Sequence, residues 1–217
     1  MKVALLPAKP LTLAKTRLGT LLDDDERMRV AGAMFADVLR ALGAARGLDA
    51  VVVITADVAL ATRARLAGAV VVDEGTPRGL NGAVSLGTDA AVRMGATTAL
   101  VVLSDVPLVE PADIDELLCK APTHGALVVP SKEGTGTNAM LRQPPSVFAP
   151  CFGGRSLERH VAAADRARIA CEIVRNVRLE LDLDTPEDLR TFAARASATE
   201  TYREVLRLGA AMLRTGA

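Results

Sequence analysis

The chain has 217 residues, half of them hydrophobic, with 26 basic and 26 acidic side chains and a formal net charge of zero. This length suits one large α/β domain, and the apolar half of the chain is enough for a continuous core. A balanced charge argues against a general nucleic-acid-binding protein, which normally carries a clear basic excess. We therefore expect no nucleic-acid partner, although a local basic cluster could still bind a small anion.

Cysteine content and apolar pattern indicate a cytoplasmic protein. The three cysteines, Cys119, Cys151 and Cys171, are odd in number and lack CxxC spacing, which argues against a disulfide framework or a zinc site. No apolar run approaches the roughly 18 residues of a transmembrane helix, and the N-terminus is too short for a signal peptide. We expect a reducing compartment and no membrane partner. Because aromatic residues make up only 2% of the chain, a base would be recognised by backbone and small polar groups.

Five short apolar runs predict strands that are buried on both faces of a parallel sheet. They are Val3–Leu6, Val51–Ile54, Ala69–Val72, Ala99–Leu103 and Leu127–Val129. Amphipathic stretches separate them, and the clearest opens with Asp23 and Glu26 in capping-box spacing. This order predicts a Rossmann-like α/β fold: a single doubly wound, mostly parallel sheet with helices on both faces. Ligands on such sheets bind beyond the carboxyl ends of the strands.

The pattern changes after Arg142. A Gly-rich turn, a helix near 156–167 and a strand near 172–177 predict an insertion at about 143–178 that folds back over the carboxyl edge of the sheet. We expect one domain over 1–195 and a helical extension over 196–217.

The extension has apolar residues at helical spacing, which would pack on its own domain or on the second copy of a homodimer. These residues are Tyr202, Val205, Leu206, Met212 and Leu213.

A basic loop follows the first predicted strand, between Pro7 and Leu18. Lys9, Lys15 and Arg17 lie in it, and their ammonium and guanidinium groups suit the phosphates of a nucleoside triphosphate. A solvated basic surface loop is the alternative.

Three aspartates are candidate metal ligands. Asp105 follows a buried strand, and Asp182 and Asp184 flank an apolar residue, so both would point to one side of an extended segment. Magnesium favours one or two carboxylates together with substrate phosphates. The alternative for Asp105 and Asp184 is helix or turn capping, whereas Asp182 has no capping task.

Two Gly-rich loops offer backbone amides to a second phosphorylated ligand. Gly134–Ala139 reads GTGTNA but comes too late in the chain for a dinucleotide fingerprint. Gly153–Ser156 opens the next predicted helix and could hold an anion at its N-terminus. Asn81, after Gly79 and Leu80, would read a base or ribose, or else cap a helix.

The two histidines lack metal-site spacing. We interpret His124 as a surface residue and favour a surface helix position for His160, with an anion contact as the alternative. No GxSxG elbow and no convincing Cys/His pair occurs. When an ionised phosphate is the nucleophile, positioning and positive charge suffice without a general base.

The motifs AKTRL, GLN, SDVPL, GTGTNAM, FGGRSxxxH and LDLDTPEDL occur in this order between about residues 3 and 192. Together they resemble the phospholactate/phosphoenolpyruvate guanylyltransferase family (the CofC/FbiD group), within the MobA-like nucleotidyltransferase fold of nucleotide-diphospho-sugar transferase type. The resemblance implies transfer of GMP from GTP to the phosphate of a three-carbon acid in coenzyme F420 biosynthesis. The acid would be phosphoenolpyruvate, 2-phospho-L-lactate or 3-phospho-D-glycerate.

The resemblance also implies roles for individual residues. Magnesium would be held by Asp105, Asp182 and Asp184, and the phosphorylated acid by Thr137, Gly153 and Ser156. The nucleotide would contact Pro7, Lys9, Lys15, Arg17 and Asn81, with Lys15, Arg17 and Asp105 as catalytic groups. Two positions depart from the family pattern: Gly154 stands where a proline is usual, and Leu157 replaces a frequent aromatic residue. There are two alternatives to this function: a MobA-like enzyme for another phosphorylated acceptor, and a non-catalytic nucleotide-binding protein.

Overall fold

The computed structural model describes residues 1–195 and 197–212. Seven strands occur in them: β1 Lys2–Pro7, β2 Ala50–Thr55, β3 Val70–Asp73, β4 Thr98–Val102, β5 Gly125–Pro130, β6 Thr137–Gln143 and β7 Ala170–Ile173. Seven α-helices accompany them: α1 Asp24–Ala44, α2 Val58–Leu66, α3 Gly79–Arg93, α4 Pro111–Cys119, α5 Ser156–Arg166, α6 Pro186–Ala193 and α7 Glu200–Met212. Two short 3₁₀ helices, Leu11–Leu13 and Thr16–Thr20, lie between β1 and α1.

The strands form one sheet in the order β3-β2-β1-β4-β6-β5-β7. All neighbouring pairs are parallel except those of β6, which runs antiparallel to both β4 and β5. The predicted doubly wound, mostly parallel sheet is therefore confirmed. All five predicted apolar runs coincide with strands except at Ala69 and Leu103, which lie just outside them, and the strand predicted near 172–177 lies at Ala170–Ile173.

Strand β6 is the main departure from the predicted elements. The sequence predicts a loop from Gly134 to Ala139, but Thr137 and the residues after it form a strand between β4 and β5. Within β6 the register shifts by one residue, because Val129 faces Ala139 while Pro130 faces Thr137. Asn138 is thus the extra residue of a β-bulge, a device that redirects side chains beside functional sites.

Alternating side chains of the strands supply two core layers. Ala4 and Leu6 pack with α1, α2 and α4 on one face of the sheet, and Val3 and Leu5 pack with α3 and α5 on the other. Because every strand of the centre is covered on both faces, its residues are apolar almost without interruption.

The capping box predicted at the start of α1 is confirmed. The Asp23 carboxylate accepts from the Glu26 backbone N–H at 2.8 Å, and the Glu26 carboxylate accepts from the Asp23 N–H at 3.0 Å.

Helix α7 packs on α1 and α6, with Val205 and Leu208 buried in a third cluster beside Met34 and Phe192. The buried Asp37 carboxylate of α1 accepts from the backbone N–H groups of Glu200 and Thr201 and so fixes the start of α7.

Of the apolar residues predicted in this helix, Leu206 is exposed, which corrects its assignment to a packed face. The Met212 side chain and Leu213 lie outside the described residues. The domain boundaries at 195 and 143–178 stay predictions. Across the described ranges, no helix combines the length and the apolar character that crossing a membrane requires.

Candidate functional site

A cleft of about 840 Å³ lies beyond the carboxyl ends of β1 and β4. It contains ten of the eleven residues that the sequence singled out for the site. They are Pro7, Lys9, Lys15, Arg17, Asp105, Thr137, Gly153, Ser156, Asp182 and Asp184. The cleft has two walls, which we name by their residues. The carboxylate wall comprises Asp105, Asp182, Asp184 and Lys15, and the loop wall comprises Thr137, Gly153, Ser156 and the loop between β6 and α5.

The three aspartates of the carboxylate wall are brought together by the end of β4. Each offers a carboxylate oxygen, and these oxygens lie within 4.8 Å of one another. The backbone N–H of Leu183 donates to the carbonyl of Asp105 at 3.0 Å, which ties the second segment to the strand end. Leu183 itself is buried in the core, so the aspartates on either side of it both face the cleft, as the alternation predicted.

None of these aspartates caps a helix. The N-cap of α6 is Thr185, whose hydroxyl accepts from the Asp188 N–H, and the N-cap of α4 is Glu110. The capping alternatives for Asp105 and Asp184 are therefore excluded.

Lys15 lies between two of the carboxylates. Its Nζ donates to Asp105 Oδ2 at 2.7 Å and to Asp184 Oδ1 at 2.5 Å, and its backbone adopts the left-handed conformation with φ of 52°. Burial alone would lower the pKa of this ammonium group, but the two carboxylates raise it above its usual value. Lys15 is thus a largely buried cation paired with two carboxylates, which excludes a solvated side chain at this position.

Arg17 and Lys9 differ from Lys15 because both are exposed. The Arg17 guanidinium is 3.9 Å from Asp184 Oδ2. Burial opposes ionisation of Asp184, but Lys15, and then Arg17 and Lys9, hold the pKa of its carboxyl below the usual value.

The wall is nevertheless short of positive charge. Asp105 Oδ1 is buried and has no hydrogen-bond partner among the described residues. Burial and the nearby Asp105 charge raise the pKa of Asp182 to about 6, although the Asn138 amide donates to it at 3.0 Å. A bound cation would stabilise both groups, and three carboxylates are a suitable donor set for a hard divalent ion. The observed residues therefore fit a metal.

Asn138 is a site residue that the sequence did not reveal. It is 2% exposed, and its Nδ2 donates to the carbonyls of Leu179 and Glu180 as well as to Asp182. An asparagine inside a Gly/Thr-rich segment carries no local sign of these partners, which lie more than 40 residues away.

On the loop wall, Gly153 takes a φ of 109°, a conformation that favours glycine over residues with a Cβ. A Cβ added there would lie 3.0 Å from Nη2 of Arg159. Ser156 is the first residue of α5 and is buried, so the loop presents the N-terminus of this helix to the cleft.

His160 is buried with 0% exposure, so the surface position favoured for it is wrong. Its Nδ1 lies 3.1 Å from Thr137 Oγ1, and its Nε2 accepts from the Cys151 N–H at 2.9 Å. The spacing of Ser156, His160, Ala163 and Ala164 places all four on the buried face of α5, a helical pattern that could have indicated this burial. His124 is exposed, as expected.

Asn81 does not line the cleft. Its side chain donates to the Phe152 carbonyl at 3.1 Å and accepts from the Phe152 N–H at 2.7 Å, so it holds the loop that carries Gly153. The capping alternative is also wrong, because Arg78 is the N-cap of α3. Nucleotide binding by Asn81 has no support from this geometry and stays a prediction.

Comparison with solved structures identifies the fold. A nucleotide-diphospho-sugar transferase described as putative, from Desulfovibrio desulfuricans, superposes with a TM-score of 0.79 at 18% identity over 98% of this chain and 96% of that one. A Mycobacterium tuberculosis protein, Rv0371c in complex with manganese, has a TM-score of 0.54 at 21% identity, covering 90% and 98% of the two chains. The chain has the nucleotide-diphospho-sugar transferase fold.

Sequence comparison is more specific. The family described as "Guanylyl transferase CofC like" matches residues 1–213. A phosphoenolpyruvate guanylyltransferase from Sphaerobacter thermophilus is 37% identical, over 89% of this chain and 93% of the relative. A 3-phospho-D-glycerate guanylyltransferase from Phenylobacterium zucineum is 35% identical over 87% and 88%. A 2-phospho-L-lactate guanylyltransferase from Methanothermobacter thermautotrophicus is 33% identical over 94% and 89%. The chain therefore belongs to the CofC-like guanylyl transferase family and is a nucleotidyltransferase.

Proposed function

We propose that this protein transfers GMP from GTP to the phosphate of a three-carbon phospho-acid and releases pyrophosphate. The acid would be phosphoenolpyruvate, 2-phospho-L-lactate or 3-phospho-D-glycerate, the acids named in three relatives of 33–37% identity. The product would enter coenzyme F420 biosynthesis. A phosphate oxygen of the acid attacks the α-phosphorus of GTP, a new P–O–P bond forms, and the bond between the α- and β-phosphates breaks as pyrophosphate leaves.

One observation carries the proposal: a single cleft joins a carboxylate wall that has too little positive charge nearby to a loop wall that offers hydrogen-bond donors. The first has three carboxylates and one buried lysine, and the second has a helix N-terminus behind Gly153 and Ser156. A metal–triphosphate complex matches the carboxylate wall, and a small acid with two anionic groups, a phosphate and a carboxylate, matches the loop wall.

Asp105, Asp182 and Asp184 would hold Mg²⁺. When bound, the ion would neutralise phosphate charge and polarise the α-phosphate. Lys15, Lys9 and Arg17 supply further positive charge from the loop after β1, where the triphosphate would extend.

Lys15 has an additional part in this proposal. Its ammonium group already contacts two of the carboxylates, so it would turn toward the phosphates when a cation takes its place. Its long, flexible stem permits this exchange.

Thr137, Gly153 and Ser156 would hold the phospho-acid. The two hydroxyls and the backbone N–H groups at the start of α5 can donate hydrogen bonds, which suits a ligand whose phosphate and carboxylate oxygens only accept. Because the attacking phosphate is already ionised, these residues need only orient it and no general base is required.

The test is incubation of the full chain with Mg²⁺, each of the four nucleoside triphosphates and each of the three acids, with mass analysis of products. We expect pyrophosphate and a guanylylated acid with GTP and at least one acid. Absence of such a product with every acid, under conditions where GTP binding is measured, contradicts the proposal. The matched controls are Asp184→Asn, which should lose activity, and Glu187→Gln, an exposed acidic residue three positions later, which should retain it.

A further inference from the structure

His160 connects the loop wall to the sheet through two hydrogen bonds. Its Nε2 faces the Cys151 backbone N–H at 2.9 Å and its Nδ1 faces Thr137 Oγ1 at 3.1 Å. The ring is held in an edge-on contact with Phe152, with the centroids 4.8 Å apart. Both polar atoms of the ring are therefore occupied and its orientation is fixed.

The direction of these two hydrogen bonds follows from donor and acceptor chemistry. A backbone N–H can only donate, so Nε2 of His160 must accept and carries no hydrogen. A neutral imidazole has one N–H, which must then be on Nδ1 and must donate to Thr137 Oγ1. Burial, and then the charges of Arg142 and Arg159, hold the pKa of His160 at about 4, so the ring is neutral at neutral pH.

Thr137 is left with a hydroxyl hydrogen that cannot point at His160. Among the hydrogen bonds of the described chain, its side chain makes only the one to His160. Thr137 also lines the cleft beside Gly153 and Ser156. Its hydrogen is therefore free to be donated to a ligand in the cleft.

We propose that His160 is a positioning residue for the phospho-acid: it occupies a lone pair of the Thr137 hydroxyl and so directs that hydroxyl to donate to an anionic oxygen of the ligand. This inference rests on the proposed function, which puts the acid against Thr137. A hydroxyl that turned freely could present its lone pair to the anion instead, whereas a hydroxyl fixed as a donor selects ligands that accept. Loss of such a charge-assisted hydrogen bond weakens binding by roughly ten- to a hundredfold.

The first test is performed on the unaltered protein. The chain has two histidines, one exposed and one buried, so nitrogen-15 NMR of the imidazoles gives a simple spectrum. We expect one ring, that of His160, to be a neutral Nδ1–H tautomer at pH 6.5. An Nε2–H tautomer or a cationic ring at His160 would overturn the inference, whatever the variants do.

The second test uses the two amide substitutions of His160. His160→Asn places its amide near the position of Nδ1 and can still donate to Thr137. His160→Gln places its amide near Nε2 and keeps only the bond to Cys151. We expect His160→Gln to raise the KM for the acid by roughly tenfold or more, while the KM for GTP changes less than twofold. In His160→Asn, the KM for the acid should stay close to that of the unaltered protein.

Thr137→Val and its combination with His160→Gln complete the design. Thr137→Val should raise the acid KM at least as much as His160→Gln does, and the double variant should be no worse than Thr137→Val, because both changes remove one contact. Phe148→Leu alters packing near the His160 ring, with 6.3 Å between centroids, without touching its hydrogen bonds. It should lower the melting temperature and leave the acid KM unchanged.

The outcomes separate this inference from the proposed function. If Thr137→Val leaves the acid KM unchanged, the placement of the acid in the proposed function is wrong. If Thr137→Val raises it but His160→Gln does not, the positioning role of His160 is overturned while the proposed function stands. An equal rise in the KM values for the acid and GTP after His160→Gln would indicate a general structural role and would also overturn the inference.

Discussion

The two walls of the cleft differ in how far the protein itself satisfies their polar and charged groups. On the carboxylate wall, Asp105 Oδ1 has no partner among the described residues, and the pKa of Asp182 is raised to about 6. Behind the loop wall, His160 and Asn81 hold its residues in place, and each uses both of its polar side-chain atoms in hydrogen bonds. We expect a bound cation to complete the first wall, whereas hydrogen bonds within the protein order the second. A bound cation should therefore stabilise the first wall much more than the phospho-acid stabilises the second.

Removing a carboxylate from the first wall should have the largest effect. Asp105→Asn retains the shape of the side chain but removes the charge at the end of β4, so we expect kcat to fall at least about a thousandfold, or about 4 kcal/mol of transition-state stabilisation. Pyrophosphate release under saturating substrates measures the change. More than a tenth of the original rate would remove Asp105 from the metal site.

Replacing the internal cation tests whether the first wall depends on it. Lys15→Met leaves Asp105 and Asp184 without their shared partner. In the presence of a chelator we expect a loss of about 1–3 kcal/mol in the free energy of unfolding, which allows for the partial exposure of the carboxylates. Excess Mg²⁺ or Mn²⁺ should recover most of it.

Lys9→Met, an exposed change in the same loop, is the control and should stay within about 0.5 kcal/mol. Equal melting temperatures of Lys15→Met and the unaltered chain in chelator would mean that Lys15 does not support the wall.

Acid should weaken the second wall through His160. The folded protein keeps this ring neutral to about pH 4, whereas the unfolded chain binds a proton below about pH 6.5. Stability from this group is therefore present above pH 6.5 and is lost as the pH falls from 6.5 to 4. At pH 5 the loss is roughly 2 kcal/mol.

Denaturant unfolding of the unaltered chain and of His160→Gln, at pH 8 and pH 5, isolates this contribution from that of Asp182. Because the pKa of Asp182 is raised in the folded protein, its contribution to stability increases as the pH falls. We expect a smaller drop in the variant. Parallel curves for the two proteins would show that His160 titrates normally.

Two adjacent glycines provide the best matched pair of variants, with the smallest expected effect. Gly153→Ala places a Cβ at a φ of 109° and 3.0 Å from Arg159 Nη2, whereas a Cβ on Gly154 meets nothing within 4 Å. We expect Gly153→Ala to cost about 1–2 kcal/mol in the free energy of unfolding and to raise the KM for the acid. Gly154→Ala should change stability by less than about 0.5 kcal/mol, and similar losses in both variants would mean that the shape of the loop is not critical.

The sequence was sufficient for the parallel part of the fold and for most of the cleft. The strands β1, β2 and β4 are continuous apolar runs, and ten predicted site residues line one cavity because parallel strands end at one edge of the sheet. Strand β6 was missed since its polar members find their partners far away in the chain. Arg142, for example, is 1% exposed and donates to Thr88, which is 54 residues away along the chain. No local pattern announces such a buried arginine.

The surface position for His160 and the capping alternative for Asn81 are wrong for a related reason. Both side chains support the loop that carries the candidate ligand-binding groups. Such a supporting role depends on the tertiary arrangement of α3, α5 and the 152–156 loop, which single-sequence reasoning does not provide.

The bulge at Asn138 makes β6 sensitive to the deletion of a single residue. With one extra residue in β6, Thr137 faces His160 while Asn138 faces Asp182. Deleting one residue at the bulge would remove this extra position, so Thr137 and Asn138 could not both keep their partners. The contact of Asn138 with the candidate metal ligand Asp182 and that of Thr137 with His160 thus depend on the same extra residue of β6, whereas substitutions can alter the two contacts separately.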